Sequence, residues 1–143
     1  YGAIVDIAHV QKGDAVVITA ASSSVGIAAI QTVNHLGGIS IAATRTRAKA
    51  DDLKKQGAQH VIVSDEEDLA ARVMEITGGK GARVTFDPAA GPMLMKLAEA
   101  AAPGGIIIEY GALSPEPTPY PLFASIGKGL TIKGYTLFEF LPI

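Results

Sequence analysis

Hydrophobic positions fall in short unbroken runs separated by longer mixed stretches. The runs AVVITA, ISIAAT, HVIV, ARVTFD, IIIEYGA and LTIKGYTLF begin near residues 15, 39, 60, 83, 105 and 130. Each reads as a strand buried on both faces, because a half-exposed strand would alternate apolar and polar residues. The stretches between them carry helical spacing and helical punctuation. VGIAAIQTVNHLGG stops at Gly37 and Gly38, RAKADDLKKQGA at Gly57, and GPMLMKLAEAAAPGG at a further Gly-Gly pair. EEDLAARVMEITGG takes Ser64 and Asp65 as caps, with acids in its first turn where the helix dipole favours them. An interval of roughly 20–25 residues with one helix in each gap marks right-handed βαβ units. The pattern predicts an α/β fold, a Rossmann doubly wound six-stranded parallel sheet with helices on both faces.

Two places depart from this rhythm. A proline-rich loop runs from Ser114 to Pro121, followed by a short helix and the last strand. The opening YGAIVDIAHV places Ile4, Ile7, Ala8 and Val10 on one helical face without a cap or a start. Residues 1–143 are therefore expected to form a single dinucleotide-binding domain cut from a longer chain.

Composition narrows the classes. The chain is 48% hydrophobic with 16 glycines, which suits a packed core rich in small and β-branched residues and excludes a disordered segment. A net charge of −2 gives no case for nucleic acid or an anionic membrane surface as partner. There is no cysteine, so disulfides and thiolate metal sites are excluded within the chain, and no metal site is expected. With neither a membrane-length apolar run nor a signal peptide, the expected location is cytoplasmic.

The candidate chemistry lies in TAASSSVG, where the first strand turns into the first long helix. Ala21, Ser23 and Gly26 have the one-three-six spacing of a pyrophosphate-binding turn. The first small residue permits the tight turn, the second lets backbone N–H groups approach phosphate, and Gly26 lets helix pack on strand. Serine hydroxyls can also donate to phosphate oxygens, and the helix N-terminus adds its dipole. A small-residue turn that binds nothing is the bland reading. The second strand ends in ATRTRAK, without the acid that would hold ribose hydroxyls. Arg45, Thr46 and Lys49 stand there instead, a set that favours NADP(H), since Arg and Lys bind a 2′-phosphate that an acid would repel.

Competing motifs fare worse. A serine nucleophile lacks its G-x-S-x-G elbow, and His9, His35 and His60 offer it no evident base. Ser125 and Lys128 have S-x-x-K spacing with no supporting motif, and GGKGAR lacks the glycine and hydroxyl of a phosphate loop. No Tyr has a Lys four residues on, against the short-chain reductases. Glu109, a carboxylate within an apolar strand, receives no role.

GDAVVITAASSSVGIAAIQ, RAKADDLKKQGA, EITGGKGARVTFDPAAG and PGGIIIEYGAL together resemble the cofactor domain of the medium-chain dehydrogenase/reductase superfamily, in its quinone oxidoreductase-like, zinc-type alcohol dehydrogenase-like branch. The resemblance covers essentially the whole chain. It implies that Ala21, Ser22, Ser23, Ser24, Val25 and Gly26 form the pyrophosphate turn, with Ser23 and Ser24 in place of two inner glycines. It puts Thr44 where NAD-dependent relatives carry the ribose Asp, and Arg45, Thr46 and Lys49 at a 2′-phosphate. Ser64 stands where relatives often have a Tyr beside the adenine ribose. Asp87 and Pro88, with Tyr110, Gly111, Ala112 and Leu113, fall along the nicotinamide half.

The function so implied is hydride transfer from NADPH to a quinone, enone or carbonyl, with the isolated domain itself inactive. A separate GroES-like domain absent from this chain would complete the small-molecule substrate cleft. The last strand, TIKGYTLFEF, would pair across a two-fold axis in a homodimer. Two alternatives stand: the enoyl-reductase domain of a polyketide or fatty-acid synthase, and a nucleotide-binding or dimerisation module without catalysis.

Overall fold

In the computed structural model of the protein, which describes residues 2–136, six parallel strands form one sheet in the order β3-β2-β1-β4-β5-β6. The strands are β1 (Ala15–Ile18), β2 (Ile39–Thr44), β3 (His60–Val63), β4 (Ala82–Asp87), β5 (Ala101–Glu109) and β6 (Thr131–Gly134). The order reverses between β1 and β4, so their carboxyl ends open a crevice at the switch point, where doubly wound sheets bind ligands.

The continuous apolar runs do what two-sided burial requires. Val16 and Ile18 enter a core with Ile30, Val33, Leu53 and Ile108 on one face. Val17 points the other way and meets Ile41, Ile62, Leu97 and Ile107. Helices α1 (Ser24–His35) and α2 (Ala50–Lys55) cover the first face, and α3 (Leu69–Ile76) and α4 (Met93–Ala100) the second, beside α5 (Leu122–Lys128).

Four boundaries differ from the sequence reading, each for a local reason. Gly2–Ile7 is a wide helical turn, with the Ala8 N–H reaching back to the Ala3 carbonyl at 2.9 Å instead of closing α-helical bonds. The cap of α3 is Asp68, whose Oδ1 accepts from Ala71 N at 3.0 Å; Ser64 and Asp65 instead donate their backbone N–H groups to Thr44 and Arg45 carbonyls. β5 starts at Ala101, before the Gly-Gly pair, because the pairing jumps from Ala82 opposite Ala101 to Val84 opposite Ile106 and so absorbs Pro103–Gly105 as a bulge. β6 ends at Gly134, and the rest of the expected strand beyond residue 136 lies outside the described residues.

Candidate functional site

The site is built at the carboxyl ends of β1, β2, β4 and β5, around a cleft of about 790 Å³. Its floor is the β1–α1 turn. Ala20 takes a left-handed backbone at φ 45°, a conformation that costs a residue with a Cβ about 1 kcal/mol. Ser23 caps α1: its Oγ accepts from Gly26 N at 3.1 Å, which leaves its own O–H free to donate outward. The first amides of α1 have no partner within the helix, so they point at whatever occupies the turn. Gly26 is needed for packing, since a Cβ there would stand 2.7 Å from Ala21 Cα.

One wall is the exit of β2. Thr44 is buried, while Arg45, Thr46 and Lys49 are more open and line the cleft. Neither Arg45 nor Lys49 has an ion pair or side-chain hydrogen bond among the described residues. Arg47 is engaged elsewhere, 3.0 Å from Glu66, which raises its pKa through that hydrogen bond and charge. Ser64 joins this wall because its backbone N–H is fixed to the Thr44 carbonyl at 2.8 Å.

The opposite wall is organised by Asp87, a fully buried carboxylate at the end of β4. Its oxygens accept from the hydroxyl of Thr19, from Ala89 N at 3.1 Å and from Ala90 N at 2.9 Å. These bonds fold the β4–α4 turn, where Ala90 also takes a left-handed backbone at φ 56°. The proline-rich loop then closes over that turn: Leu113 N binds the Pro88 carbonyl at 3.1 Å, Ser114 N binds that of Ala89 at 3.0 Å, and Gly91 N binds Thr118 Oγ1 at 2.8 Å.

Beside Asp87, in register across β4 and β5, lies Glu109. Both its carboxylate oxygens are buried without a hydrogen-bond partner among the described residues. Burial first, and then the Asp87 carboxylate, push its pKa up to about 9, so it holds a proton at neutral pH. Tyr110 stacks on Phe86 with ring centroids 4.0 Å apart, and burial raises its hydroxyl to about 12.

Of the residues singled out in the sequence, the cleft brings together Ser22, Thr44, Arg45, Thr46, Lys49, Ser64 and Leu113. Ser24 and Val25 instead line a separate apolar hollow of about 230 Å³ with Ile4 and Phe86. Ala21 is buried in the core, and Tyr110 packs against the same core. Pro88, Gly111 and Ala112 are not among the cleft's lining residues; Gly111 packs on Pro88, whose carbonyl is 2.7 Å from where a Gly111 Cβ would sit. Sequence reasoning missed Thr19, Ala90, Met93, Lys96 and the Ser114–Glu116 strap. The usable signal was topological: in the order 3-2-1-4 the β4–α4 turn must border the β1–α1 turn.

Lys128 of the S-x-x-K pair is no base: its Nζ donates to the carbonyls of Ala98, Glu99 and Ala101 at 2.7–2.9 Å, closing the end of α4. Among the described residues no three His, Asp or Glu side chains converge as metal ligands. Nor is any helix there long and apolar enough to cross a membrane.

Comparison with known proteins agrees with this architecture. The family model described as zinc-binding dehydrogenase matches residues 24–141. The chain is 34% identical over 118 residues to the 2-haloacrylate reductase of a Burkholderia species, covering 82% of this chain and 35% of that protein. It is 33% identical over 135 residues to the mitochondrial enoyl-acyl-carrier-protein reductase of Yarrowia lipolytica, covering 89% of this chain and 35% of that protein. The crystal structure of Escherichia coli quinone oxidoreductase complexed with NADPH superimposes with a TM-score of 0.86 at 28% identity, over 96% of this chain and 43% of that one. The chain thus spans about a third of the length of these curated relatives.

Proposed function

This chain belongs to the zinc-binding dehydrogenase family, and on that premise we propose that it is the cofactor domain of an NADPH-dependent oxidoreductase that passes hydride to a quinone, an enone or a carbonyl. The observation that carries the cofactor choice is the exit of β2, where Arg45 and Lys49 line the cleft unpaired and no acid stands. A ribose 2′-phosphate satisfies both cations, whereas a bare ribose leaves them without an anion.

The dinucleotide, when bound, supplies the hydride from its nicotinamide ring. The chain's own work is to bind and orient. The Ser22–Gly26 turn receives the pyrophosphate on backbone amides and on the Ser23 hydroxyl proton. Thr44 and Ser64 border the adenosine ribose, Arg45, Thr46 and Lys49 its phosphate. Pro88 and Gly111–Leu113 would border the nicotinamide half, with Asp87 fixing the turn that follows Pro88 and the Tyr110 ring held against Phe86 in the core. Zinc finds no fit here: the chain lacks cysteine and the described residues bring no three donors together, so no step of this reading runs through a metal.

The small-molecule substrate would meet the nicotinamide in a cleft completed by a GroES-like domain, in a cytoplasmic homodimer joined through the edge strand β6. A second reading, the enoyl-reductase domain of a larger synthase, is favoured by the 35% identity over 113 residues to the mycoketide-CoA synthase of Mycobacterium tuberculosis, of which this chain covers 3%. The third, a module without catalysis, rests on the serine-substituted turn.

Calorimetric titration with NADPH and NADH, repeated on Lys49→Ala and Arg45→Ala, tests the proposal. NADPH should bind more tightly, and each substitution should cost roughly 1–3 kcal/mol on NADPH alone. Equal binding of the two cofactors would remove the NADP assignment. No binding of either, by this chain and again with the GroES-like domain restored, would favour the non-catalytic module.

A further inference from the structure

The cleft contains a cation that the 2′-phosphate reading leaves unused. Lys96 sits in the opening turn of α4, three residues after Met93, and the two residues share one helix face and line the cleft beyond the end of β4, two strands across the sheet from the β2 exit that carries Arg45 and Lys49. No ion pair or hydrogen bond engages its ammonium among the described residues.

Three observations point to an anion there. The charged side chains lining the cleft are three cations, Arg45, Lys49 and Lys96, against one acid, Glu116, while the chain as a whole carries −2. Positive charge is therefore gathered at this cleft against the net balance of the molecule. Next, α4 begins without an acid in its first turn and without a side-chain cap, since Pro92 occupies the cap position. A lysine in that turn adds positive charge where the helix dipole already places some, an arrangement a bound anion would relieve. Finally, Glu116 lies on the same cleft yet forms no ion pair with Lys96, so the ammonium is not committed to the protein.

We infer that Lys96 is a third cationic contact to the phosphorylated adenosine end of the dinucleotide, closing the 2′-phosphate site from the β4 side of the cleft. This rests on the NADPH reading and deepens it. The cofactor's phosphate would be held between two structural elements, the exit of β2 and the first turn of α4, so its binding would also fix the spacing of the cleft walls.

The test is titration of the protein and of its Lys96→Met and Lys96→Arg variants with NADPH, NADH, adenosine 2′,5′-bisphosphate and 5′-AMP. Lys96→Met keeps the apolar stem and removes the charge. It should weaken NADPH and the bisphosphate about tenfold while changing NADH and 5′-AMP less than about twofold. Lys96→Arg should restore most of the loss, and added salt should erode NADPH affinity less steeply in Lys96→Met than in the parent. An equal loss on NADPH and NADH would place Lys96 on the pyrophosphate or in a structural role, and would overturn the inference. So would an unchanged affinity for all four ligands. If Lys49→Ala abolishes the NADPH preference while Lys96→Met does not, the cofactor reading survives and this inference alone fails. If the parent protein binds neither dinucleotide, or prefers NADH, both fall together.

Discussion

The hydroxyl of Thr19 donates to the carboxylate of Asp87, tying the end of β1 to the end of β4 across the point where the strand order reverses. Thr19 also faces the cleft, so one bond couples the floor of the site to its far wall. Because Asp87 is fully buried, each of its hydrogen bonds offsets a desolvation cost that would otherwise be borne by the fold. We predict that Thr19→Val, nearly isosteric, lowers stability by about 1–3 kcal/mol, because it removes one of the two hydrogen bonds to Asp87 Oδ1 and leaves that buried oxygen with the Ala89 N–H alone. Urea unfolding measures it. Dinucleotide affinity should fall as well, because the same carboxylate positions Ala89 and Ala90.

Glu109 makes stability depend on pH in an unusual sense. Its carboxyl is raised from 4.5 to about 9 by burial and by Asp87. Below the unfolded value both states are protonated and nothing is lost. Between the two values the native chain holds a proton that the unfolded chain releases, so stability falls as pH rises, and it levels off above about 9. Discounted for partial exposure, the cost at neutral pH is about 1–2 kcal/mol. Glu109→Gln should recover that amount and flatten the profile between about pH 6 and 8.5. Chemical denaturation of both proteins across that range decides it, and an equal slope in parent and variant would refute the assignment.

Ala20 and Ala90 hold left-handed backbones at φ 45° and 56°, and both line the cleft. Strain of this kind is retained where the surrounding structure fixes a working geometry. Glycine occupies that region freely but loses more entropy on folding. We expect Ala20→Gly and Ala90→Gly each to raise stability by about 0.5–1 kcal/mol, read as a higher melting temperature. A loss of stability would mean that the methyl contacts outweigh the strain.

The sheet was legible because strands such as Val16–Ile18 are buried on both faces and must be apolar throughout. The place of Arg45 and Lys49 on the cleft was legible because ligand crevices of doubly wound sheets lie at the carboxyl ends of the strands, and both residues follow β2. What escaped was set by contacts far along the chain. Nothing local marks Ala20 as left-handed, since alanine has no preference for that region. Asp68 displaced Ser64 and Asp65 as cap because the residues after β3 first had to bind the exit of β2. Tyr110, expected along the nicotinamide half, has its ring drawn into the core by Phe86. Lys96 reached the cleft only through the pairing of β4 beside β1.

Lys128 offers a contrast with Lys96, since both are lysines on neighbouring helices but only one is committed to the fold. Its ammonium donates to three carbonyls at the end of α4 and the start of β5, at 2.9, 2.7 and 2.9 Å. Two of those carbonyls, Ala98 and Glu99, lie in the last turn of α4, where a cation also suits the helix dipole. Replacing Lys128 removes all three bonds at once. Lys128→Met should therefore cost about 1–3 kcal/mol of stability, while leaving NADPH and NADH affinities within about twofold of the parent. Ser125→Ala should leave any reductase turnover unchanged, since the lysine three residues away is bound to backbone and cannot act as its base. Unfolding curves and cofactor titrations on the same preparations separate the two lysines: Lys128→Met should move the first and spare the second, and Lys96→Met should do the reverse.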